Sequence, residues 1–258
     1  MANIITHMTG QQYHEGKFDK AILAVGSCEN HGYHLPHGTD TLVSYRLAQR
    51  VADRVEGMLV LPPITVGMSA HYSHFLFNLS LEPETLIAVL KDVLRSTVKA
   101  GIQKIFIMNG HDGNIAPIEI ASRAIKMEYP QVRIASLDAW WITAGQLLPP
   151  NTFEVWGGLG HAGEGETSIA LALFPELVQM EHAKGVVPDL PPDVEIKWNF
   201  AELTNTGATG DPTKATAEKG QKMVNVLVEA VVNFIKEMDA RGWDYSSSQA
   251  AIELGKLA

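Results

Sequence analysis

Apolar positions fall in blocks along the chain, and the blocks switch between two periods. Lys20 to Val25 (KAILAV) is a short continuous apolar run and predicts a buried strand. From Leu42 to Val55 the apolar residues Leu42, Tyr45, Leu47, Val51 and Val55 recur near helical spacing. Met58 to Val66 predicts a second strand, with Pro62-Pro63 marking an irregular or edge position. Pro83 to Ala100 carries the clearest helix signal, with proline at its start and Gly101 after its last turn. Lys104 to Met108 predicts a third strand, Ile115 to Glu128 a helix, and Val132 to Leu137 a fourth strand. Alternation of this kind predicts an α/β protein whose mainly parallel sheet carries helices on both faces.

Beyond Trp141 the pattern loosens. Glycines at 157, 158, 160, 163 and 165 suggest backbone passing close to another group. Thr167 to Phe174 predicts a short apolar helix, and Thr216 to Arg241 a long amphipathic one. Residues 185 to 213, rich in Pro, Gly, Asp and Thr, predict an excursion from the core, and the tail SSSQAAIELGKLA a surface appendage. No internal repeat or linker divides the chain. The expectation is one domain over residues 1–258, with its core at about 20–240.

Composition narrows the function. Twenty Lys+Arg against 29 Asp+Glu give a net charge of −9, without the basic stripe of a nucleic-acid binder. The single Cys28 excludes an internal disulfide framework and a Cys-rich zinc knuckle. The first twenty residues lack a signal-peptide core, and no apolar run reaches membrane-spanning length. The expectation is a soluble cytoplasmic protein.

Ligands of parallel sheets bind beyond the carboxyl ends of the strands, so the residues following each strand are the informative ones. GSCENHGYHLPHGTD, with Glu29, His31 and Asp40, follows the first strand. NGHDGN, with His111, follows the third, and GHAGEGETS, with His161, Glu164 and Glu166, precedes the short helix. Carboxylates and neutral imidazoles are the usual N/O ligands of zinc, manganese and related ions. In an extended chain, Glu29 and His31 project to one side. Plainer readings stand beside these. Glu29 and His31 could belong to an ordinary polar loop. Asp40 could cap the following helix, and Glu164 and Glu166 could favour a helix N-terminus. His111 could be a turn histidine and His161 a packed core imidazole. His34 and His37 share the loop of His31 and could support the ligands or face a substrate. His71 and His74 follow the second strand and could line the same rim. His7, His14 and His182 read as surface residues. Trp140-Trp141 reads as core packing or as an aromatic wall for a flat substrate.

Four ordered stretches, GSCENHGYHLPHGTD, NGHDGN, GHAGEGETSIALALFPELV and GDPTKATAEKG, resemble the creatininase (creatinine amidohydrolase) family from about residue 20 to about 237. The resemblance implies a three-layer α/β/α fold and a hydrolytic site with two divalent ions, zinc and/or manganese. It implies that Glu29 binds one ion, His31 the second, and Asp40 both. His111 would complete the first ion's ligands and Glu166 the second's. His161 would face the substrate as proton carrier. Glu164 would orient His161 or contact a substrate amine, and Trp141, His74 and Asp112 would lie near the substrate. The implied substrate is a small cyclic amide or formamide, and the implied assembly a homo-oligomer, often a hexamer. Two departures fall near the substrate. Creatininases carry a glutamate where this chain has Gly113, and many relatives carry Phe-Pro-Gly-Thr where it reads HFLFNLSL from His74. A phosphoesterase or peptide-trimming two-metal hydrolase and a non-catalytic metal-binding module are the rival readings. No G-x-G-x-x-G follows the first strand, which disfavours a dinucleotide enzyme.

Overall fold

The computed structural model describes residues 2–191 and 196–244. The expected tail from Ser246 lies outside the described residues, as do positions 192–195 of the expected excursion. In chain order the strands and α-helices are β1 (Asn3–Ile4), α1 (Gly10–Glu15), β2 (Lys20–Val25), α2 (Thr39–Ala52), β3 (Met58–Val60), α3 (Pro83–Lys99), β4 (Lys104–Asn109), α4 (Ile115–Glu128), β5 (Arg133–Leu137), α5 (Trp140–Leu147), α6 (Glu164–Leu173) and α7 (Ala217–Ala240).

The strands form one five-stranded sheet in the order β1-β3-β2-β4-β5, and every pairing is parallel. All six residues of β2 are buried, as expected for a central strand covered on both faces. Ile22 and Ala24 point into one core with α2, α5, α6 and α7. Ala21, Leu23 and Val25 point into the other with α3 and α4. The result is three layers, α/β/α.

Several boundaries differ from the sequence expectation. The second strand ends at Val60 rather than Val66, because Pro62 and Pro63 have no N–H for the ladder. The chain still follows β2, through Leu61 N–H to Ile22 O and Ile64 N–H to Ala24 O. The second helix begins at Thr39, so Asp40 lies inside its first turn. Its N-cap is Gly38, which has no side chain to cap with, so Asp40 is not the cap residue. The short apolar helix begins at Glu164 rather than Thr167, bringing Glu164 and Glu166 into its first turn. Trp140 opens a helix that the pattern did not show, and Asn3–Ile4 adds an edge strand. No helix among the described residues is long and apolar enough to cross a membrane.

The strand order reverses between β2 and β4, since β2 leads through α2 to β3 on one side while β4 pairs on the other. A crevice beyond the carboxyl ends of these two strands is where such sheets bind ligands.

Helix α7 packs closely on α6, and Gly220 makes this approach possible. A Cβ at Gly220 would overlap the Ser168 carbonyl oxygen. Alanine improves helix propensity by about 1 kcal/mol over glycine in an open position. Here the overlap with fixed backbone costs more, about 1–3 kcal/mol. Gly220→Ala is therefore expected to lower the urea midpoint, whereas propensity alone would raise it.

Candidate metal and catalytic centre

Beyond β2 the chain turns through Gly26 and delivers Glu29 and His31, both fully buried. Asp40 comes from the first turn of α2 and is 2% exposed. His111 follows β4 and is also buried. Glu166 comes from the first turn of α6, and His161 from the glycine-rich turn before it. These six side chains converge.

Asp40 lies at the middle. Its Oδ1 is 2.9 Å from His31 Nε2, and its Oδ2 is 3.3 Å from His111 Nδ1. Glu29 Oε1 is 3.1 Å from His111 Nδ1 and 3.9 Å from His161 Nδ1. Glu166 Oε1 is 3.8 Å from His31 Nε2. Three groups can each place their ligand atoms within 4.8 Å of one another: Glu29/Asp40/His111, His31/Asp40/Glu166 and Glu29/His31/His161.

Two observations show that the donors suit cations. Both oxygens of Glu29 and Oδ2 of Asp40 are buried without an aligned hydrogen bond, although His111 is close. Buried carboxylates without partners are costly unless a cation takes their lone pairs. The second observation concerns the imidazoles, each of which has one ring nitrogen against a main-chain carbonyl. His31 Nδ1 is 3.2 Å from Glu29 O, His111 Nε2 3.0 Å from Met68 O, and His161 Nε2 2.6 Å from Asn30 O. A carbonyl accepts only N–H, so each ring turns its other nitrogen toward the carboxylates, as a metal-ligating histidine does.

The electrostatics follow from the buried Glu29 and Asp40 and the largely covered Glu166. Burial opposes charge on His31, but Asp40, Glu166 and Glu29 outweigh it and push the ring up to about 10. Burial is likewise outweighed at His111 by Glu29 and Asp40, which raise it well above the usual range. Burial would raise Asp40, yet His31 and His111 hold it well below the usual carboxylate range. Burial pushes Glu166 up to about 7, with His31 opposing and Asp40 adding to the rise. His161 goes the other way: burial and the charge of His31 keep it well below 6.5.

The supporting residues explain how such a cluster holds its shape. Asn109 Nδ2 donates to His111 O and Asp138 O. Asn114 accepts from Met68 N–H and donates to Gly26 O, fixing the carbonyl that orients His111. At Gly113 a Cβ would overlap Met68 O and crowd His111 Nε2, so this backbone has no room for the creatininase glutamate. Thr209 pins the His161 main chain twice, accepting its N–H at 2.9 Å and donating to its carbonyl at 2.8 Å. Ala162 sits at φ 51, with its N–H on Glu166 Oε2.

Other expected residues lie elsewhere. Glu164 neither orients His161 nor faces the cluster. Its buried carboxylate accepts the N–H groups of Glu154 and Val155 and pairs with Lys219 Nζ at 2.6 Å. It thus ties the 154–158 loop to α6 and α7. Trp141 packs half-buried against the core beside Trp140, their rings 5.6 Å apart and edge-on. His74 is exposed, and among the described residues no ring or hydrogen-bond contact joins it to the cluster. Asp112 is exposed and opens the single 3₁₀ turn Asp112–Asn114. His37 meets Phe77 edge-on, away from the ligand atoms. Phe77, in the stretch lacking Phe-Pro-Gly-Thr, adopts φ 60. His34 is buried against Thr167 Oγ1 at 2.9 Å, and burial with the charge of His31 pushes it down to about 4. His71 lines the rim, stacked at 5.7 Å on His111, and burial with the charge of His111 pushes it down to about 4. His7, His14 and His182 are exposed, as expected.

Two residues beside the cluster carried no signal in the sequence. Tyr72 packs its ring 4.5 Å from His161 and 4.4 Å from His71. Phe200, from the excursion, stacks 4.5 Å from Tyr72 and 5.0 Å from His161. Burial and the carboxylates of Glu29, Asp40, Glu166 and Asp112 raise the Tyr72 phenol well above its usual range.

A family model described as "Creatininase: Creatinine amidohydrolase" matches residues 6–235. A Mycobacterium ulcerans (strain Agy99) protein named mycofactocin precursor peptide peptidase is 31% identical over 226 residues, covering 83% of this chain and 83% of the relative. A Pseudomonas putida creatinine amidohydrolase is 29% identical over 231 residues, covering 84% and 88%. A solved structure titled "Creatininase Mn" superposes with a TM-score of 0.78 at 27% identity, covering 92% of this chain and 98% of that one.

Two outcomes are expected from this geometry. In metal-free protein the raised His31 contributes stability that is complete below its ordinary pKa of about 6.5. That stability is lost as pH rises through about 10. The melting temperature of chelator-treated protein should fall across this window, and His31→Ala should flatten the fall. Lys219→Met strands the buried Glu164 carboxylate and should lower unfolding free energy by about 3–5 kcal/mol in urea titrations.

Proposed function

The chain belongs to the creatininase family of hydrolases, and on that premise we propose that its buried cluster holds two divalent cations and hydrolyses a C–N bond of a small cyclic amide or formamide. The observation that carries the reading is Asp40, whose two oxygens face two different ligand groups. One group is Glu29, Asp40 and His111, and the other is His31, Asp40 and Glu166. Oxygen and imidazole donors of this kind suit zinc and manganese. When bound, such ions lower the pKa of water from about 15.7 toward about 7 and polarise a carbonyl oxygen.

The chain's own residues supply the rest. His161 is neutral at neutral pH, and its Nε2–H is committed to Asn30 O. Its Nδ1 therefore faces the cluster with a free lone pair, 3.9 Å from Glu29 Oε1. It can take a proton there and deliver it to the departing nitrogen. Tyr72, Phe200 and His71 narrow the space beside it and exclude water. Glu164 is assigned to holding the 154–158 loop rather than to proton transfer.

Among the described residues the carboxylates of Glu29, Asp40 and Glu166 pair only with histidines. The cluster lacks the arginine fork that grips a phosphate ester, which favours amides over phosphoesters. Because one relative is named a peptidase, short peptides belong in the same substrate screen. The reading extends to one domain over the chain, supported by both cores packing on a single sheet. It also extends to a cytoplasmic homo-oligomer, hexameric by family resemblance.

His31→Ala and Asp40→Ala should each lose metal, measured by elemental analysis, together with activity. His161→Ala should keep its metal while kcat falls about 10²–10⁴-fold. Chelator treatment should abolish activity, and zinc or manganese should restore it. Full turnover by protein shown to be metal-free would end the proposal.

A further inference from the structure

Tyr72 stands beside the ligand cluster with no part in holding it. The residue ends the 3₁₀ turn Ala70–Tyr72 and is 4% exposed. Its ring is held on three sides by His71 at 4.4 Å, His161 at 4.5 Å and Phe200 at 4.5 Å. Phe200 is itself fixed, since Asn199 and Glu202 close a capping box around its turn. A ring clamped in this way cannot swing its hydroxyl. Among the described residues nothing hydrogen-bonds that hydroxyl. The ring centre also lies 6.2 Å from that of His111, so Tyr72 borders the cluster at both His161 and His111. The ring is buried, but the hydroxyl is not one of the polar atoms sealed from solvent, so a small molecule can reach it. A molecule held at the cluster is therefore the partner left for it.

We propose that Tyr72 is a further catalytic residue: its hydroxyl touches the substrate and donates a hydrogen bond to the carbonyl oxygen of the scissile amide as that oxygen gains negative charge. The inference rests on the hydrolase reading above. Water adds to the carbonyl carbon and gives one proton to His161 Nδ1, while the C=O π pair moves onto oxygen. The pair returns as the C–N bond breaks, and the departing nitrogen takes a proton from His161. Tyr72 keeps its own proton throughout and forms no covalent bond. It differs from His161, which stacks on the same ring, because a phenol donates to the oxygen whereas the imidazole serves the nitrogen. A fixed donor aimed at developing charge needs no reorganisation when the charge appears, and removing one such donor costs about 10²–10³-fold in kcat.

The test is Tyr72→Phe in the metal-loaded full chain, since phenylalanine keeps the ring that packs on His161, His71 and Phe200. Wild type is first assayed on a panel of cyclic amides, formamides and short peptides. The variant is then compared for kcat, KM, metal content and the near-ultraviolet tyrosine difference spectrum on adding acetohydroxamate. The expected result is unchanged metal content, KM within about threefold, kcat lower by about 10²–10³-fold, and loss of the difference band seen in wild type. A kcat within threefold of wild type, persistence of the band, or loss of metal from the variant would each overturn the role of Tyr72 and leave the hydrolase reading intact. A metal-loaded wild type inactive on the whole panel would overturn the hydrolase reading, and the role of Tyr72 with it.

Discussion

The structure of this site turns on one carboxylate, Asp40, held between two imidazoles in a place almost closed to water. A buried carboxylate must find a cation or a proton. Asp40 finds His31 on one oxygen and His111 on the other, while Glu29 and Glu166 add two more acidic groups nearby. Ionised carboxylates this close repel one another, so positive charge must offset them. Either the imidazoles carry protons, as the raised His31 and His111 indicate, or divalent ions replace those protons. The folded chain by itself groups the donors within reach of one another.

Rigidity comes from the backbone behind the ligands. Each cluster histidine has one ring nitrogen set against a carbonyl, and those carbonyls belong to Glu29, Met68 and Asn30. Asn114 fixes Met68, and Thr209 fixes His161. Gly113 is part of this arrangement: only a bare backbone there lets Met68 O reach His111. The departure from the creatininase pattern at this position is therefore a structural feature of the site. The carboxylate beside His31 comes instead from Glu166 in the first turn of α6.

The fold arranges these groups because its sheet reverses direction of growth beside β2. Loops after β2 and β4 then face one crevice, and the helix starts of α2 and α6 deliver Asp40 and Glu166 to it. Glu164, two residues from Glu166, turns instead to Lys219 and the 154–158 loop. Two acids on one helix turn thus face opposite ways, Glu166 toward the cluster and Glu164 toward the wall around it.

Sequence alone determined much of this. Period and strand-end placement located the central strands, helices α2, α3, α4, α6 and α7, and the polar clusters behind Glu29, His31, Asp40, His111, His161 and Glu166. These were legible because burial on both faces of a sheet and turn chemistry leave local marks. Local marks could not separate Glu164 from Glu166, bring Phe200 from the excursion onto Tyr72, or show that Trp141 packs on the core while His74 stands in solvent. Those outcomes depend on which distant segments meet, and contacts between residues over a hundred positions apart, such as His161 with Asn30, have no period to read. Only the folded chain, by closing one layer over the end of another, decided which side chains share the crevice.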